Sequence, residues 1–197
     1  DRVDDRRKKL LEAAFVLLGE QGSAAVTMRA VIRDAQLSPR YFYESFPDRA
    51  DLLVAVFDVA LQQLQERVTA AMAEASTDPV MQTRAAFSAV ASVFEHDPRI
   101  ARIMLREALA EAALRDHAYA ALSLFISTTS LNLLDESWYR QTDPVMLRLD
   151  ISALAGTSLS VFLDWTEGRL DITQQQLVDY LTDTVDGMVR RRLNSTR

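Results

Sequence analysis

The 197 residues are 49% hydrophobic and 25% charged, carry a formal net charge of −6 and include no cysteine. This excludes a disulfide scaffold, a thiolate metal site and a cysteine nucleophile. Five glycines and five prolines are too few turn residues for an all-β fold, and the acidic balance speaks at first sight against nucleic acid as a partner.

Helical periodicity runs through almost the whole chain. Leu11, Ala14, Phe15 and Leu18 form one apolar stripe, closed between Gly19 and Gly22, where Gly22 is expected to take a left-handed C-cap. Thr27 is placed to cap a short helix with Val31, Ile32 and Ala35 inward, and Ser38-Pro39 opens another, with serine at N-cap and proline at N1. Pro47-Asp48 opens a longer helix carrying Leu52, Leu53, Val56, Phe57, Ala60 and Leu64. Asp78-Pro79, Asp97-Pro98 and Asp143-Pro144 each signal a further start, and Gly168, Asp171 and Thr173 separate the last two helices, roughly 144–167 and 173–193. The expected fold is all-α, with about nine helices.

No run of about 18 apolar residues appears, so no membrane span is expected. The opening Asp1-Arg2-Val3-Asp4-Asp5 lacks the apolar core of a signal peptide, which points to the cytoplasm. Charge is unevenly placed: residues 1–50 hold nine Lys and Arg against eight Asp and Glu, while residues 51–197 hold 13 against 20. The run Arg6-Arg7-Lys8-Lys9 reads as the solvated first turn of a helix.

Thr27 to Asp51 holds two short helices joined near Gln36-Leu37, the spacing of a helix-turn-helix. At 100° per residue, Phe42 and Phe46 fall inward, while Arg40, Tyr41 and Glu44 fall outward. Arg40 can donate two hydrogen bonds to guanine, and Tyr41 offers a ring to thymine methyls and a hydroxyl. The plain alternative is an αα-corner with an incidental surface arginine. Thr27 and Ser38 put hydroxyls at helix N-termini, where free N–H groups attract phosphate as readily as the hydroxyls cap.

Residues Thr27 to Leu53, with Arg7 to Gly22 before them, resemble the tetracycline-repressor (TetR) family of bacterial transcription regulators. The resemblance is specific over about 45 residues. It implies a helix-turn-helix DNA-binding domain over 1–47 and a ligand-binding and dimerisation bundle over 48–197. It places Thr27 and Tyr43 on phosphates, with packing as the alternative for Tyr43, and turns Ser38, Arg40 and Tyr41 toward the groove. Arg29 matches a position that often reaches DNA, and Arg49 stands where the family usually has a backbone-contacting lysine. Gln36 and Ser45 depart from the family's usual glycine and histidine; glutamine is the costlier residue wherever φ is positive.

In family members the last two helices pair across a two-fold axis. Leu154, Ser158, Val161, Phe162 and Trp165 share one face here, and Leu177, Leu181, Thr184 and Met188 another; both stripes could equally close the chain's own core. A ligand pocket between the middle helices would draw on Phe87, Phe94, Met104, Glu107, Phe125, Thr129 and Asn132, where plain core is the competing reading. His96 and His117 lack partners at helical spacing, so no metal is expected, and no cofactor motif appears. No catalytic motif is present either. The sequence therefore reads as a homodimeric, ligand-responsive repressor of a palindromic double-stranded operator, released by a small-molecule effector. The competing reading is an all-α binding protein whose first helices only pack.

Overall fold

The computed structural model describes residues 2–133 and 143–195, with no strand among them. Helix α1 spans Arg2–Gln21, α2 Met28–Asp34, α3 Pro39–Ser45, α4 Arg49–Glu74 and α5 Pro79–His96. The next stretch is interrupted: α6 (Pro98–Ala101) passes into a π-helical turn, Arg102–Glu107, and then into α7 (Ala108–Ala110). Helices α8 (Ala112–Leu133), α9 (Pro144–Thr166) and α10 (Gln174–Ser195) follow. With Pro98–Ala110 counted as one interrupted helix, the described residues hold nine.

The predicted starts are built from local hydrogen bonds. Thr27 Oγ1 accepts from Ala30 N at 3.2 Å, and Asp48 Oδ1 accepts from Asp51 N at 3.0 Å. Asp78, Asp97 and Asp143 each accept from a backbone N–H two residues on, with proline at the first helical position. Thr173 and Gln176 cap α10 reciprocally, at 2.9 and 3.2 Å, satisfying two N–H groups that a helix start leaves unpaired. Ser38 departs from expectation: it holds the N-cap position without a side-chain cap bond. Gly22 departs too. Its φ of 90° and ψ of 175° lie in a region open essentially to glycine alone, rather than in the left-handed helical well.

By compactness the chain divides into two units, neither of which ends at the expected 47/48 boundary. The first joins residues up to Gln63 with His96–Tyr119. Its core holds Leu10, Ala14 and Leu18 of α1, Val31 of α2, Phe42 of α3, Phe46 just beyond it, and Leu53 and Val56 of α4. Helices α1, α2 and α3 pack on one another, and α1 also packs on α6 and the π turn. The approach to α6 is close at Gly19, where a Cβ would stand 2.5 Å from Arg99 Cβ.

The second unit joins Leu64–Glu95 with the described residues from Ala120 onward. Ala91, Phe94, Phe162, Leu177 and Leu181 are buried in it, with the Phe94 and Phe162 rings edge to face at 5.5 Å. Helix α9 is strongly apolar: an 18-residue window reaches a mean hydropathy of 1.4, enough by length and composition to cross a membrane, yet only 11% of it is buried within the chain. Arg148, Asp150 and Asp164 interrupt it, so the sequence shows no unbroken apolar run although the helix as a whole is strongly apolar.

Candidate nucleic-acid interface

Burying Phe42 and Phe46 (both 2% exposed) fixes the rotation of α3. Their opposite face then lies in solvent. The Arg40 side chain is 83% exposed, and its Nε donates to Glu44 Oε1 at 2.8 Å. That hydrogen bond raises the guanidinium above its ordinary value, so Arg40 stays fully charged. Tyr41 is half-buried and Tyr43 exposed, the latter's ring edge to face with Phe42. Ser38 and Thr27 are exposed at the starts of α3 and α2, and Arg29 is exposed on α2.

The turn between α2 and α3 is held by Leu37 N donating to Ile32 O at 2.9 Å, with Gln36 at φ 55°. The glutamine thus occupies the left-handed conformation that glycine takes at lower cost. The turn geometry survives the substitution.

Two residues that sequence reasoning left as solvated reach this surface. The Arg6 guanidinium lies 4.3 Å over the Tyr41 ring, and that of Arg7 lies 4.3 Å over Phe46 while Nη1 donates to Ser45 O at 3.0 Å. The signal was the unbroken basic run; the fold of α1 against α3 supplies the rest. Arg49 is differently engaged. Its guanidinium donates to Val26 O (2.8 Å), Ser23 O (2.6 Å) and Glu111 Oε2 (3.0 Å), gripping the segment that leads into α2.

Glu107 grips the same segment from the end of the π turn. It is 5% exposed; Oε2 accepts from Ser23 N at 2.9 Å and Oε1 from Arg102 Nε at 3.1 Å. Gly22 makes room for this clasp, since a Cβ there would stand 2.8 Å from Arg102 Nη2 and 3.0 Å from Glu107 Oε1. Glu107 is therefore an internal anchor of the first unit. It is not a ligand group among the middle helices, because a carboxylate buried this deeply already has its partners.

The other expected pocket residues separate. A cavity of about 90 Å³, partly open to solvent, lies in the second unit and is lined by Phe87, Phe125 and Thr129, with Thr83, Leu154 and Ser158 among its other walls. Phe94 packs instead against Phe162, and Met104 is buried in the first unit. The Asn132 side chain lies outside the described residues.

The expected partner face needs a larger correction. Leu177 and Leu181 are fully buried and Phe162 is 3% exposed, so they belong to the chain's own core and offer nothing to a second copy. Leu154 and Ser158 line the cavity, and Trp165 Nε1 donates to Ile172 O at 3.2 Å. Val161, Thr184 and Met188 stay half-buried. Among the described residues no group of three His, Asp or Glu side chains could hold a metal.

Residues 10–56 match the family model of bacterial regulatory proteins of the tetR family. That stretch is therefore similar to the amino-terminal part of tetR-family regulators. The TetR match covers α1 to the start of α4, the elements that carry Arg40 and Tyr41. The HTH-type transcriptional regulator BetI of Rhizobium meliloti (strain 1021) is 39% identical over 72 residues, 36% of this chain and 36% of that protein. The HTH-type transcriptional repressor KstR of Rhodococcus jostii (strain RHA1) is 26% identical over 102 residues, 52% of this chain and 47% of that protein. The chain thus aligns with a third to a half of these relatives' length.

Likeness in fold extends further than likeness in sequence. A putative transcriptional regulator from Pseudomonas aeruginosa PAO1 superposes with a TM-score of 0.74 at 18% identity, covering 98% of this chain and 95% of that one. The fatty acid degradation regulator FadR from Bacillus halodurans gives 0.72 at 16%, covering 93% and 94%.

Proposed function

We propose that this chain is a cytoplasmic, ligand-responsive transcriptional repressor that binds a palindromic operator as a homodimer. The observation that carries the reading is the exposed Arg40 beside the half-buried Tyr41 at the N-terminal end of α3, opposite the buried Phe42 and Phe46. A guanidinium there is suited to the O6 and N7 acceptors of guanine, and a tyrosine to a thymine methyl. Thr27, Ser38, Arg29 and Tyr43 stand in exposed positions suited to phosphates on either side. Arg49 would act by holding the entry to α2, since its donors are already engaged.

Residues 1–47 are proposed as the DNA-reading module and 48–197 as the effector-binding and dimerising part, with Phe87, Phe125 and Thr129 of the cavity at the effector site. Release requires the effector to prefer the non-binding state, a coupling of about 1–3 kcal/mol. Helix α4, with residues in both units, is the element proposed to carry that preference.

The test begins with genomic fragments selected by the purified protein. Arg40→Ala with Tyr41→Ala is expected to lose the selected site by roughly 100-fold or more, at about 1–3 kcal/mol per base-reading side chain in each half-site. Unchanged binding by a folded double variant would sink the recognition-helix assignment. It would favour the all-α binding protein without sequence-specific DNA contact.

A further inference from the structure

Glu107 lies in the first unit, so the cavity of the second unit has no carboxylate in its walls. The cavity draws its walls from α4, α5, α8, α9 and α10, and none of its lining residues is charged. Three hydroxyls interrupt an otherwise apolar surface. Thr83 Oγ1 donates to Pro79 O at 2.8 Å, so only its lone pairs face the space. Thr129 and Ser158, on α8 and α9, have no hydrogen-bond partner among the described residues. Arg84, one residue beyond Thr83, pairs with Asp179.

We infer that the cavity binds a compact, uncharged, predominantly apolar molecule carrying one hydroxyl or carbonyl group, held between Thr129 and Ser158. The inference deepens the reading of residues 48–197 as an effector domain and rests on it. The physical ground is desolvation. A carboxylate or ammonium enclosed here would lose water and find no opposite charge. A neutral polar group needs one or two hydrogen bonds, which the idle hydroxyls supply. The apolar walls contribute affinity by area alone and do not discriminate among apolar frames.

The test uses four probes on one frame: 4-isopropylbenzyl alcohol, 4-isopropylbenzoate, 4-isopropylbenzylammonium and the matching hydrocarbon, 4-isopropyltoluene. Binding to the full chain is followed by methyl chemical shifts, which detect millimolar affinities without DNA. The alcohol is expected to bind at least tenfold more tightly than either ion. It is also expected to bind about fivefold more tightly than the hydrocarbon, a preference that disappears in Thr129→Val with Ser158→Ala. Benzoate or ammonium binding within threefold of the alcohol would overturn the inference, as would an alcohol that shifts no methyl signal. An alcohol preference kept by a folded double variant would overturn the role of the two hydroxyls. Each outcome is independent of the operator experiment, which can fail while this one succeeds.

Discussion

Gln36 shows how one residue can be strained without misplacing a helix. Its φ of 55° costs a side-chain-bearing residue about 1–2 kcal/mol relative to the right-handed well, and glycine recovers part of this while losing more entropy on folding. Gln36→Gly is expected to be neutral or to stabilise by up to about 1 kcal/mol, a rise of roughly 2–4 °C for a chain of this size. Gln36→Val, β-branched at positive φ, is expected to lose about as much or more. Thermal melts of the two variants check the contrast, and equal losses would refute the account.

Asp97 offers a second prediction at this scale. Arg99 donates to it from its side chain and backbone, holding the carboxyl below its ordinary value of 3.8. A carboxyl with a lowered native pKa stabilises the fold above 3.8, and the contribution fades as pH falls through the native value. Asp97→Asn should therefore lower the melting temperature at pH 7, by an amount that shrinks as pH falls below 3.8. A constant difference across that range would show that only the cap geometry matters.

At the scale of elements, what could be read in the sequence was what is decided locally. The three Asp-Pro starts and the inward pair Phe42 and Phe46 follow from neighbours within one turn. The clasp of Glu107 on Ser23 does not, because it joins residues 84 positions apart and leaves no periodicity behind. The same limit misplaced the dimer stripe: a helical wheel shows that Leu177 and Leu181 share a face but not what that face meets. The π turn is equally invisible, since Arg102–Glu107 carries no breaker residue.

The clasp makes a testable statement about α2. Glu107→Ala would leave Ser23 N–H and the Arg102 guanidinium short of a buried acceptor, a loss of about 3–5 kcal/mol for a broken buried pair. Because Arg102 is 29% exposed, the lower end is expected. Glu107→Gln, which keeps an acceptor for Ser23 N, should lose less. Amide exchange of Ser23 through Ala30 should accelerate more in the alanine variant than in the glutamine variant. Identical protection in both variants would mean that the clasp does not order the entry to α2.

For the whole molecule, net charge is a poor guide to a partner. The −6 sum includes acids whose charge is already answered within the first unit by Arg40, Arg49, Arg99 and Arg102. Arg6 and Arg7 meanwhile stack on Tyr41 and Phe46 beside the proposed groove face. On the proposed reading, a single recognition helix would bind weakly, and a two-fold pair would read half-sites about 34 Å apart. We propose for that pairing the side of α9 opposite its buried residues, where Leu149, Ala153, Gly156 and Ser160 repeat at helical spacing and are all exposed. A Cβ at Gly156 would meet nothing within 4 Å, so a larger side chain there leaves the chain's own fold intact. Gly156→Arg, burying a bulky unpaired charge against a second copy, should raise the dimer dissociation constant at least tenfold. Sedimentation should then show monomer, and operator affinity should fall with it although Arg40 and Tyr41 are untouched. A variant that remains dimeric with full operator affinity would place the two-fold axis on another face.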